Sequence, residues 1–150
     1  MAIRRHRVPT VLDTNILVAA FLSRNRRSAN VRVYRMWADR RLQLVVSNPI
    51  QAEYLALLER VGVSAARVRE FAQRLATRAT VTWVRPPRDF PLSRDVSDNM
   101  FLAAAVTGKA RFLVTNDNDL LQIPAAELRG FRLRIVTPDE FLEIVSRRGA

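Results

Sequence analysis

A chain of 150 residues, 49% hydrophobic and 26% charged, has the length and composition of one ordinary globular domain. It has no cysteine, which excludes disulfides, thiol nucleophiles and zinc thiolate sites, and its single histidine, His6, excludes a His–His acid/base pair and a histidine zinc cluster. The formal net charge of +11, almost all of it arginine with Lys109 the only lysine, favours association with nucleic acid or with an acidic protein, although arginine-rich codon usage accounts equally well for the choice of arginine over lysine.

In chain order, residues 1–7 form a basic tail, with no apolar segment and small-residue cleavage site behind it to make a secretory signal. No run approaches the ~20 unbroken apolar residues of a membrane helix. VLDTNILVAAFL comes nearest, and Asp13 and Asn15 interrupt it. A cytoplasmic protein with no membrane partner is therefore expected.

Strands are predicted at RVPTVLD (ending at Asp13), Leu42–Ser47, Thr80–Val84, Ala110–Thr115 and Phe131–Thr137, from short runs rich in β-branched residues. Helices are predicted at 14–22, 28–41, 48–60, 64–78, 98–108 and 138–147. Ser64, Ser97 and Thr137 read as helix starts, Ser47 or Asn48 as the cap before Pro49, and Pro138 as a first helical residue. The prolines of Arg85–Asp95 make that stretch the one long loop, and residues 147–150 are expected to fray. Strands alternating with helices predict one α/β domain over 1–150, a parallel sheet of about five strands covered by helices in three layers.

In such a fold the working site lies at the carboxyl ends of the strands. Asp13 ends the first strand, and Asp117 follows the fourth. Glu53 lies on an apolar helix, between Ile50 and Leu57, where a carboxylate is costly to bury without an ion or a donor. Asp98 opens another helix, with Asp95 one turn earlier. Each of the others has a structural alternative: Asp13 and Asp98 suit helix amino termini, and Asp117 suits an Asn/Asp turn with Asp119. Four carboxylates meeting at one point would repel one another, and stay ionised only if cations neutralise them. With no histidine or cysteine near, oxygen ligands favour Mg²⁺ or Mn²⁺.

The segments VLDTNILVAAFLS, SNPIQAEYLALL, DVSDNMFLAAAVTGKARFLVTNDNDLL and RIVTPDEFLEIV resemble the PIN domain, a metal-dependent ribonuclease fold, and most of all its single-domain members that act as toxins of toxin–antitoxin pairs. The resemblance implies a catalytic and metal-binding quartet of Asp13, Glu53, Asp98 and Asp117, with Asn15, Ser47 and Asp119 in support. It also implies hydrolysis of RNA phosphodiesters with two Mg²⁺ or Mn²⁺ ions, giving 5′-phosphate and 3′-hydroxyl ends. The implied partners are RNA, an antitoxin protein and a second copy in a homodimer. Val96 stands where the family often has Pro, and Asn116 where it often has Gly; neither change removes an acid. Arg24, Arg26, Arg27 and Arg94 are candidate phosphate contacts.

Two alternatives come from other classes. A haloacid-dehalogenase-like phosphatase also has Asp at a strand end, but it needs a second Asp where this chain has Asn15. A catalytically inactive basic RNA- or protein-binding module would require all the acids to be structural. A nucleotide-binding fold is excluded, because none of Gly62, Gly108, Gly130 and Gly149 builds a phosphate loop.

Overall fold

Five short strands form one all-parallel sheet in the order β3-β2-β1-β4-β5. They are β1 (Val8–Leu12), β2 (Leu42–Val46), β3 (Val81–Trp83), β4 (Phe112–Val114) and β5 (Arg134–Val136). The computed structural model describes residues 7–88 and 96–148, and side chains over 7–88 and 100–147. Seven α-helices flank the sheet among the described residues: α1 (Thr14–Leu22), α2 (Ala29–Ala38), α3 (Asn48–Arg60), α4 (Ala65–Leu75), α5 (Val96–Thr107), α6 (Asn118–Leu121) and α7 (Pro138–Arg148). The predicted α/β class and parallel sheet are what the chain adopts.

The helix starts follow from local chemistry. The Ser28, Ser47 and Ser64 hydroxyls each accept an N–H from the first turn of the helix they precede, at 3.3–3.4 Å. Thr137 caps α7: its Oγ1 accepts from the Glu140 N–H and donates to Glu140 Oε1, both at 3.2 Å. α5 begins at Val96, one residue before the predicted Ser97.

Other boundaries differ from expectation for identifiable reasons. α2 stops at Ala38 rather than 41, because Arg40 takes a left-handed turn (φ 60°) to enter β2. α4 ends at Leu75 rather than 78. The Asn/Asp turn after β4 winds into the single turn of α6, and a 3-10 turn follows at Ala125–Leu128. Phe131 is not in a strand, since β5 starts only at Arg134. Arg7, the last residue of the basic tail, donates through its guanidinium to the carbonyls of Arg40 (2.9 Å) and Ala79 (3.1 Å). Residues 147–148 are the last of α7, where Arg147 pairs with Glu143 at 2.7 Å. Residues 1–6, most of the expected loop (89–95) and 149–150 lie outside the described residues.

The core packs the apolar face of each helix against the sheet. Ile50, Tyr54 and Leu58 of α3 recur one turn apart and are fully buried, as β-sheet residues Leu12, Leu44 and Leu113 are. Edge-to-face aromatic contacts join four helices: Phe21 of α1, Tyr34 and Trp37 of α2, Tyr54 of α3 and Phe71 of α4. The Trp37 indole N–H finds the Thr80 carbonyl at 3.2 Å, so its burial leaves no donor unmet. No helix among the described residues is long and apolar enough to cross a membrane.

Candidate active site

The strand order reverses between β1 and β4, the place where an open parallel sheet forms a crevice. The chain runs outward from β1 to β3, then returns to lay β4 on the other side of β1. Open parallel sheets hold ligands at such a reversal, beyond the carboxyl ends of the strands. Pairing of Leu12 with Val114 brings Asp13 beside Thr115, and the Asp13 N–H donates to the Val114 carbonyl at 3.0 Å.

Asp13 is only 6% exposed, and both its oxygens are held. The Thr115 hydroxyl donates to Oδ2 at 2.6 Å, and the Asn15 N–H donates to Oδ1 at 3.4 Å as α1 begins. The Thr115 hydroxyl in turn accepts the Asp117 N–H at 2.9 Å. Asp117 caps α6, taking the Asp119 N–H on Oδ1 at 2.9 Å. On the other side, the Thr14 hydroxyl donates to Glu53 Oε2. Two threonine hydroxyls, one after β1 and one after β4, thus hold the carboxylates of Glu53 and Asp13, and the second also takes the backbone N–H of Asp117.

Burial pushes the Asp13 carboxyl above the ordinary value of 3.8; the bonds from Thr115 and Asn15 offset part of this, and the charges of Asp117 and Glu53 add to it. The same acids act on Tyr54. Its phenol is held well above its ordinary value, first by complete burial and then by Asp13 and Glu53. Its hydroxyl donates to the Leu12 carbonyl. The pairing of β1 with β2 runs only to Thr10 opposite Leu44. Tyr54 therefore supplies a donor where the ladder has ended, and links the aromatic core to the residue before Asp13.

The predicted residues divide as follows. Asp13, Glu53 and Asp117 come to the same edge of the sheet, close enough for their charges to raise the Asp13 pKa. Among the described residues, no three Asp, Glu or His side chains draw together tightly enough to make a metal cluster. Asp98 stands in the first turn of α5, which leads back to the start of β4, so that turn lies at the carboxyl edge. The Asp98 side chain is outside the described residues, as are Asp95 and Arg94. Ser47 is buried and capping α3, the helix that carries Glu53. Asn15 contributes its backbone N–H and is exposed, as is Asp119. The structural alternatives for Asp13 and Asp117 are also met, because both cap helices. Thr14, Thr115 and Tyr54 have roles here that helix and strand patterns do not single out; for the two threonines the signal was a hydroxyl within two residues of an acid at a strand end.

Among the described residues, no basic side chain pairs with Asp13, Glu53 or Asp117, and the only ion pair is Arg147–Glu143. The donors facing the crevice are carboxylate and hydroxyl oxygens, a hard set that suits Mg²⁺ or Mn²⁺ better than softer metals.

A comparison with curated proteins finds no match to the chain. A family model described as the PIN domain matches residues 9–119, from β1 through the acid-bearing turn after β4. With most of its length matched, over a sheet whose reversal point gathers these acids, the chain belongs to the PIN domain family, whose members are generally nucleases that act on RNA.

Proposed function

We propose that the protein is a metal-dependent endoribonuclease, with Asp13, Glu53, Asp98 and Asp117 as catalytic residues and ligands of two Mg²⁺ or Mn²⁺ ions. One observation carries the reading. In a chain of net charge +11, three carboxylates share an edge of the sheet with no arginine or lysine paired to them among the described residues. An acid left unneutralised amid so much positive charge supports a cation as its partner.

When bound, a divalent ion would make hydroxide available near neutral pH and take up charge on the scissile phosphate. The chain's own residues hold the ligands in place. Thr115 and the Asn15 N–H fix both Asp13 oxygens, leaving each a lone pair, so Asp13 is the rigid anchor. Thr14 holds one oxygen of Glu53 and leaves the other to bind the ion or orient the attacking water. Exposed Arg24, Arg26 and Arg27, between α1 and α2, supply charge for flanking phosphates.

The resemblance to toxins supports a further step: an antitoxin that inserts a basic group among these acids and competes with Mg²⁺ for their oxygens. A homodimer belongs to the same reading.

The test is incubation of purified protein with single-stranded RNA in Mg²⁺, Mn²⁺ or EDTA, with analysis of the ends. Internal cleavage leaving 5′-phosphates, lost in EDTA and in Asp13→Asn, supports the reading. A second reading, an inactive RNA-binding module, is favoured by the cap bonds of Asp13 and Asp117. RNA binding without cleavage in either metal would select it.

A further inference from the structure

The opposite end of the sheet carries a feature built from residues that the acids do not use. Two clefts, of about 550 and 450 Å³, meet at Phe131 and Leu133. The first opens beside Pro9 and Arg111, at the amino ends of β1 and β4. The second follows β5 along Ile135. Leu133 is buried, but Phe131 is 41% exposed, a large apolar surface left open to water.

The charge around the clefts has one sign. Lys109, Arg111 and Arg132 line the first, Arg129 and Arg134 the second, and no acid lines either. None of these five forms an ion pair among the described residues.

The edge itself is also unsatisfied. β5 is the last strand of the sheet. The Arg134 N–H donates to the Arg111 carbonyl at 2.9 Å, and the Val136 carbonyl accepts from the Thr115 N–H at 2.9 Å. Both residues face β4, so Ile135 between them turns its N–H and C=O to the open side. Neither group has a backbone partner there among the described residues.

We propose that this edge receives an extended, acidic segment of a partner protein. The segment adds as a strand beside β5, seats an apolar side chain on Phe131 and Leu133, and sets carboxylates against the arginines on either side. Each observation selects part of that chemistry: the open edge calls for main-chain groups, the mainly apolar first cleft for a side chain, and the unbroken positive rim for acids. A second copy of this chain would bring like charge to like charge. RNA would satisfy the rim and stack a base on Phe131, but it brings no extended peptide main chain to the Ile135 N–H and C=O. The first cleft lies at the end of the sheet away from Asp13 and Asp117, while the second runs along β5 to Leu121 of α6.

The test titrates the full chain with a fluorescent short peptide alternating Glu with Val, without RNA or metal, so its outcome is independent of the nuclease reading. Amide exchange at Ile135 is followed in parallel. The expected result is saturable binding with slowed exchange at Ile135. Exposed-residue variants Phe131→Ala and Arg132→Glu, melting as wild type, should each weaken binding by about tenfold. A proline in the middle of the peptide should abolish it. Four results overturn the proposal: no saturable binding by about 1 mM, binding indifferent to both substitutions, equal binding of the proline peptide, or displacement of the peptide by a short RNA whose own binding also needs Phe131.

Discussion

The Thr115 hydroxyl donates to Asp13 Oδ2 at 2.6 Å across 102 residues of sequence. The bond exists because β4 returns to lie beside β1, and it makes the reversal of the sheet and the placing of an acid one event. Replacing Thr115 by Val keeps the shape and removes the donor, leaving a buried carboxylate oxygen without it. Thr115→Val should lose about 1–3 kcal/mol of stability in denaturant titration. Because the bond lowers the Asp13 pKa, its loss should also move the acid limb of any pH–rate profile to higher pH, and Thr115→Ser should restore both. A valine variant with wild-type stability and pH profile would show that the bond contributes neither.

Asp13 predicts a specific pH dependence. Burial raises its folded-state pKa above 3.8, so the folded protein holds the proton more tightly than the unfolded chain does. The resulting stabilisation is complete below 3.8 and is lost as pH rises through the folded value. In EDTA at pH 7, Asp13→Asn should therefore melt above wild type, with the gap closing toward pH 4. Asn caps a helix as well as Asp does. Lower melting of the variant at every pH would make Asp13 a structural cap first.

Gly108 ends α5 where the helix passes over the sheet. A Cβ there would lie 2.6 Å from Val45 Cγ1 and 3.1 Å from both Val84 Cγ1 and the Ala104 carbonyl oxygen. Val45 is fully buried and cannot withdraw without disturbing β2. Gly108→Ala should cost about 1–3 kcal/mol by overpacking, measured by thermal or denaturant unfolding. An unchanged midpoint would mean that α5 can shift off the sheet freely.

The sequence made the sheet legible because its strands are short β-branched runs separated by helical periods. It showed the acids because Asp13 and Asp117 sit directly after those runs. It did not show α6 or the 3-10 turn, since four residues are too few for a period to register. Phe131 read as strand because it alternates with Leu133, yet the strand starts at Arg134 and Phe131 is left at the surface. The roles of Thr14 and Thr115 depend on partners 39 and 102 residues away, which local pattern does not carry. Tyr54 is one large side chain among several on an apolar helix, and no local pattern marks its hydroxyl. Its hydroxyl matters because the pairing of β1 with β2 stops short of Leu12, which is a property of the sheet.

The central claim is that the carboxylates around Asp13 hold divalent metal. Calorimetric titration of Mn²⁺ into wild type, Asp13→Asn and Glu53→Gln tests it most directly. The account predicts saturable binding by wild type, with affinity reduced at least about tenfold in each variant while both remain folded. Equal Mn²⁺ binding by all three proteins, or none by wild type, would contradict it.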